Sequence, residues 1–122
     1  MSLYFTDAEF ACKCGRAGCS ALKAPHPALP LKLDVLRQLY GAPITVSSGI
    51  RCPEHNAAVG GVPGSEHETG EGADLACPNS SSRWRMVQAA LKAGFRRIGI
   101  GKTFIHVGVS RSHAQDVIWH YY

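Results

Sequence analysis

Apolar residues recur along this chain in two periods, and each period predicts its own kind of element. In "LKLDVLRQLYG", Leu33, Leu36, Leu39 and Tyr40 fall near helical spacing and Gly41 closes the run. "SSSRWRMVQAALKAG" predicts a second long helix, with a serine cap, Trp84, Val87, Ala90 and Leu91 on one face, and Gly94 as its stop. Two shorter helical pieces are expected. "FTDAEFAC" is capped by Thr6 or Asp7 with Glu9 in its first turn, and "PEHNAAVGG" is opened by Pro53 and closed by Gly60 and Gly61. The prolines of "APHPALP" preclude regular structure until about Pro30.

Alternation takes over elsewhere. "APITVSSG", carrying Ile44 and Val46, predicts a short strand, and "ADLA" begins another at Ala73. "FRRIGIG" and "FIHVGVS" are joined by Gly101, Lys102 and Thr103, the pattern of a hairpin, and "DVIWHYY" supplies a final strand. Helices and strands in mixed order with hairpin-like pairs define an α+β fold: a small antiparallel sheet with flanking helices. The chain has 122 residues, 45% of them hydrophobic and 18% charged, which fits one domain over residues 1–122 with its own core.

Charge narrows the classes of partner. The net +4 is mild, and the densest basic group (Arg83, Arg85, Lys92, Arg96 and Arg97) has no aromatic interleaving of the kind that stacks bases. Nucleic acid is therefore disfavoured, while an anionic cell-wall polymer is compatible. No apolar run reaches membrane-spanning length, so membrane insertion is not expected. "MSLYFTDAEF" lacks the basic and apolar regions of a signal peptide, which predicts cytoplasmic synthesis and another route for any work outside the cell. A monomer is expected.

Two groups of residues carry candidate chemistry. His67 and Asp74 lie in "SEHETGEGADL", where Gly70 and Gly72 would let the backbone bring both side chains to one ion. On the strand "FIHVGVS", Ile105, Val107 and Val109 form the natural core face, so His106 looks the other way, onto the floor of a cleft. Two imidazoles and a carboxylate suit a catalytic zinc with a place kept for water. The competing view is a solvated acidic loop around Glu66, Glu68 and Glu71. The second group is "CKCGRAGC", with Cys12, Cys14 and Cys19 in eight residues. It resembles half of a zinc knuckle whose fourth ligand would be Cys52, Cys77 or a histidine; a disulfide to Cys52 or Cys77 is equally open, and free thiols are the third reading. A zinc or redox protein built on these cysteines is thus a separate functional possibility.

"SSGIRCPEHNAAVGG" followed by "SEHETGEGADL", and later a lone strand histidine, resembles the signature of the zinc D-Ala-D-Ala carboxypeptidase and peptidoglycan endopeptidase family. That family includes phage endolysins and vancomycin-resistance dipeptidases, with hedgehog signalling domains as distant structural relatives. "FACKCG" is similar to the start of its small phage-type members. The resemblance implies a hedgehog-like fold, Zn2+ on His67, Asp74 and His106, and peptidoglycan stem peptides as substrate. It implies that Arg51 polarises the scissile carbonyl or holds a substrate carboxylate, that Ser65 shapes the loop or binds substrate, and that His55 and Asn56 line or brace the site. For Arg51 the alternative is a surface ion pair. Phage or prophage origin, with action at the wall on lysis or from a virion, fits the size and charge.

The chain also departs from the family pattern. Thr103 and Phe104 stand where its branches place a glutamate or histidine, and Gly108 where many small relatives have aspartate. A proton acceptor must then come from Glu66, Glu68, Glu71, His113 or Asp116, with His113 favoured because histidine as a residue type ordinarily titrates near ~6.5 and needs little tuning for this work. Otherwise His26, His113 and His120 read as surface or structural. The same departures leave open a wall-peptide binding module that does not cut.

Overall fold

The computed structural model describes residues 2–122. The N-terminal segment turns through a 3-10 piece at Asp7–Phe10, where the Glu9 carboxylate accepts a hydrogen bond from the Thr6 amide at 2.7 Å. Helix α1 runs Ala28–Tyr40. It starts two residues earlier than the prolines predict, because first-turn amides have no intrahelical partner and Pro30 costs no hydrogen bond there. His26 Nδ1 accepts from the Ala28 amide at 3.1 Å, and Gly41 ends the helix at φ 77°. Helix α2 is Pro53–Ala58 and helix α3 Ser80–Ala93, the latter capped by Asn79 rather than a serine; Asn79 Oδ1 accepts from Ser82 N at 2.8 Å.

The strands are β1 (Val46–Ser48), β2 (Gly72–Ala76), β3 (Arg97–Ile100), β4 (Phe104–Gly108) and β5 (Val117–His120). They form one sheet in the order β1-β2-β4-β3-β5. All neighbours are antiparallel except β3 and β5, which are parallel. The expected hairpin is β3–β4, closed by Gly101 N donating to Phe104 O at 2.9 Å. The fold is the α+β class that the mixed pattern predicts, with β5 as its one parallel edge.

One sheet face carries the core. Ala73, Leu75, Ile98, Ile105 and Val107 are buried together with Leu29, Leu33 and Leu36 of α1 and Met86, Ala89 and Ala90 of α3. Two predicted helix faces need correcting. Leu39 is half exposed, and the buried stripe of α1 begins instead at Leu29. Trp84 and Leu91 are exposed, and α3 turns Met86 and its alanines inward, since small side chains let it approach α1 closely. Phe5 and Phe10 bring the N-terminal segment into the same core.

Gly49 joins that segment to the sheet. A Cβ there would lie 2.7 Å from the Phe10 Cα and carbonyl oxygen, and Ile50 N donates to Phe10 O at 2.7 Å. Backbone cannot yield as a flexible side chain can. Gly49→Ala is expected to cost about 1–3 kcal/mol in a urea titration; an unchanged midpoint would mean that the two backbones have room for a methyl group between them.

Candidate metal centre

Strand register builds this site. Asp74 on β2 lies directly opposite His106 on β4, with Ser48 of β1 beyond Asp74, Gly99 of β3 beyond His106, and Trp119 of β5 beyond Gly99. The row crosses the whole sheet on the face away from the core, which is where alternation in "FIHVGVS" predicts His106 to point. His67 arrives from the loop before β2, whose turn is made at Gly70 with φ 73°. Arg51 N donates to the His67 carbonyl at 2.8 Å, fastening that loop to the segment after β1. Gly72 serves a different purpose from the flexibility expected of it. A Cβ there would sit 2.7 Å from His106 Cε1 and 2.8 Å from Glu66 Cβ, so the glycine makes room.

The polar atoms of this group converge. His67 Nε2 is 3.2 Å from Asp74 Oδ1, and His106 Nδ1 is 3.0 Å from the same oxygen. One donor atom from each of the three lies within 4.8 Å of the others, and all three residues are buried. The far nitrogens are already engaged: His67 Nδ1 with the Gly49 carbonyl at 2.7 Å, and His106 Nε2 with Glu66 Oε1 at 2.9 Å. Each far nitrogen faces an acceptor and so donates its proton, which leaves each near nitrogen with a lone pair aimed at a carboxylate oxygen. Three acceptors facing one another require a cation between them, either extra protons or one metal ion. Two imidazoles and a carboxylate, each braced from outside, fit a metal ion.

The titration directions agree with that crowding. Burial works to raise the Asp74 carboxyl, but the hydrogen bonds and charge of His106 and His67 hold it well below the usual carboxylate range. Burial opposes charge on His106, yet the hydrogen bonds and fields of Asp74 and Glu66 push its pKa up. Glu66 is lowered: burial resists, and His106, Arg97 and the Ser110 amide prevail.

Arg51 is held on three sides. Its Nε donates to Ser48 Oγ at 2.9 Å, Nη1 to Asn56 Oδ1 at 3.1 Å, and Nη2 to Asp74 Oδ2 at 3.1 Å. It is a nearly buried ion pair with Asp74, not a surface one. Asn56, itself buried, also donates to Val62 O and Glu68 Oε2, and Ser65 Oγ donates to Asn56 Oδ1 at 3.2 Å. Asn56 and Ser65 therefore brace the guanidinium.

These groups floor a cleft of about 390 Å³ that Arg51, Ser65, His113, Phe104, Trp119 and Tyr121 also line. His55 is not among the lining residues. Of the possible proton acceptors, Glu66 and His113 reach the cleft. Asp116 is exposed and accepts from Arg96 Nε and Nη2, each at 2.7 Å, Glu71 accepts from Thr69, and Glu68 from Asn56 and Gly64. His113 Nδ1 lies 2.7 Å from Ser110 Oγ.

Three features of the cleft go beyond what the sequence predicts, the first being the role of Glu66. Glu66 is buried and bonded to His106 and the Ser110 amide, with Arg97 Nε at 3.0 Å, close enough for an ion pair although off line for a hydrogen bond. The Arg97 guanidinium lies 5.0 Å from the Trp119 ring centre. Trp119 and Tyr121 form an aromatic wall, with the Trp119 and His106 ring centres 5.6 Å apart. Alternation in "DVIWHYY" is the signal that puts those two rings on one side; for Glu66 no local signal exists.

Two imidazoles and a carboxylate that converge on a cleft floor, backed by carboxylate and carbonyl partners, form a candidate site of the kind that metal-dependent hydrolases use. The family model of Peptidase M15 matches residues 3–109, and the chain belongs to that family of peptidases. No curated protein matches the sequence.

Glu66 fills the space that Gly108 leaves, since a Cβ on Gly108 would fall 2.0 Å from Glu66 Oε2. Gly108→Ala should therefore destabilise the fold by about 1–3 kcal/mol, and by clearly less in a Glu66→Ala background. Additive costs in the double-mutant cycle would show that the two positions do not share that space.

Proposed function

We propose that the chain is a zinc-dependent peptidase that cleaves peptide stems of bacterial peptidoglycan, as a D-Ala-D-Ala carboxypeptidase or an endopeptidase. The observation that carries this is the set of three lone-pair donors, His67 Nε2, Asp74 Oδ1 and His106 Nδ1, facing one another on the cleft floor. Zinc held by them would supply Lewis acidity to water and to the scissile carbonyl. Arg51 uses three of its five N–H groups on Ser48, Asn56 and Asp74, and the remaining donors serve a substrate carboxylate or the developing oxyanion. With Nδ1 donating to Ser110 Oγ, His113 keeps Nε2 as a proton acceptor at the cleft rim. Ser65 keeps the guanidinium's bracing asparagine in place. A phage or prophage lysis or virion-associated role is the setting we favour.

One observation favours a second reading. Glu66, the cleft carboxylate beside His106, is already bonded to His106, paired with Arg97 and accepting from Ser110, so it is not free to take a proton. A wall-peptide binding module would need no such acceptor.

Digestion of purified peptidoglycan, read by mass spectrometry, separates the two. Wild type should release stem fragments with new termini, and His67→Ala should release none and lose the zinc of the cleft. Peptide binding without cleavage would favour the module. Arg51→Lys should lower turnover by roughly two to three orders of magnitude with zinc retained, and His113→Ala should lower it with metal content unchanged. Full activity in either variant would remove that residue from the mechanism. Because the raised pKa of His106 lets protons compete for Nδ1, zinc occupancy should already weaken on acidification from above about pH 6.5.

A further inference from the structure

We propose that Cys12, Cys14, Cys19 and Cys52 hold a second, structural zinc ion, separate from the cleft. One sulfur from each lies within 4.8 Å of the other three. Cys12 Sγ and Cys52 Sγ are 3.7 Å apart. Zinc–thiolate bonds of about 2.3 Å in a tetrahedron place two sulfurs about 3.8 Å apart, whereas a disulfide places them at about 2.05 Å. Four sulfurs gathered on one centre also leave no surplus thiol, and the fifth cysteine, Cys77, is buried elsewhere.

Backbone around the group is arranged as thiolates require. Cys12 Sγ accepts from the Cys52 amide at 3.3 Å, Cys14 Sγ from the Arg16 amide at 3.4 Å, and Cys52 Sγ from the His55 amide at 3.4 Å. Such N–H···S contacts favour the charged sulfur that binds metal. Gly15 and Gly18 both take φ 70°. Those left-handed turns curl "CKCGRAGC" so that its three sulfurs face one point, and an L side chain at either position would be strained. Cys52 then closes the set from a segment far along the chain. The loop is anchored independently by Lys13 Nζ donating to Ser47 O at 2.7 Å and by an ion pair of Arg16 with Glu54 at 2.9 Å. Thiolates without nitrogen or oxygen ligands select zinc among the common divalent ions as a closed structural site.

The ion would clip residues 12–19 to the residue that follows Arg51. Its work is therefore to hold the strand-end segment from which Arg51 reaches Asp74, not to react. Cobalt substitution of the full chain tests this directly, because only the cysteine group can give thiolate-to-cobalt charge transfer together with the intense d–d bands of a tetrahedral site. Both features are expected in wild type and in His67→Ala, and a diminished thiolate charge transfer in Cys14→Ser. In His67→Ala, about one equivalent of zinc should remain and be released by a mercurial that titrates thiols. Removing zinc with a strong chelator should lower the thermal midpoint of that variant. Should Cys14→Ser fail to fold, the wild-type cobalt spectrum and the mercurial release still decide. The proposal is overturned by a cobalt spectrum without thiolate charge transfer, by no mercurial-released zinc, or by an intact mass lower by two hydrogens with a Cys12–Cys52 crosslinked peptide. Loss of the cleft zinc leaves all of these readouts unaffected, so each site stands or falls alone.

Discussion

The pairing of Asp74 with His106 across β2 and β4 is the constraint from which the site follows. Side chains alternate along a strand, so a slip of one residue would send either group into the core. The other face prevents that slip: Ala73 against Val107, and Leu75 against Ile105, are fully buried partners in the same two strands. Hydrophobic burial thus sets the register, and the register sets the distance between imidazole and carboxylate. Neighbouring strands extend the row with Ser48, which anchors Arg51, and with Gly99, whose missing side chain admits Trp119 and Tyr121. The chemistry of the cleft depends on a core that it never touches.

Charge is distributed around that pair so that every acceptor has a use. Asp74 turns Oδ1 to both histidines and Oδ2 to Arg51. Glu66 performs the corresponding task for the outer nitrogen of His106, and Arg97 and the Ser110 amide stabilise its charge. This requires room, which the two glycines provide from adjacent strands: Gly72 and Gly108 are register partners, and a Cβ on either would collide with Glu66. The glycine at 108, seen from sequence as a missing carboxylate, is better understood with Glu66 in view. A carboxylate occupies that space after all, delivered from the loop.

What could be read from residues alone follows from how local each determinant is. Alternation in "FIHVGVS" identifies the cleft-facing side of β4, and the spacing of His67 and Asp74 around Gly70 marks the loop that brings them together. These are properties of a few consecutive residues. The inward face of α3 is not, because Trp84 and Leu91 are as apolar as the stripe that packs, and only contact with α1 selects Met86 and the alanines. Glu66 is hidden for a related reason. Among Glu66, Glu68 and Glu71 nothing local separates the buried carboxylate from the other two, and the separation appears only when β4 supplies His106. The early start of α1 is a boundary effect at Pro30. The parallel docking of β5 is a long-range pairing that alternation cannot orient.

Residues 49–52 tie these parts into one object. Gly49 gives its carbonyl to His67 and its empty Cα face to Phe10. Ile50 donates to the Phe10 carbonyl, Arg51 reaches Asp74 while its amide holds the His67 loop, and Cys52 meets the N-terminal cysteines. Four consecutive residues therefore contact the His67 loop, the sheet, the N-terminal segment and the sulfur group. β1 itself is only three residues long, with an irregular register to β2. Such a short edge strand cannot by its own ladder hold a guanidinium to a fraction of an ångström. The precision must come from its flanks, and this explains why an N-terminal segment that lines no part of the cleft is bonded so closely to the stretch that does.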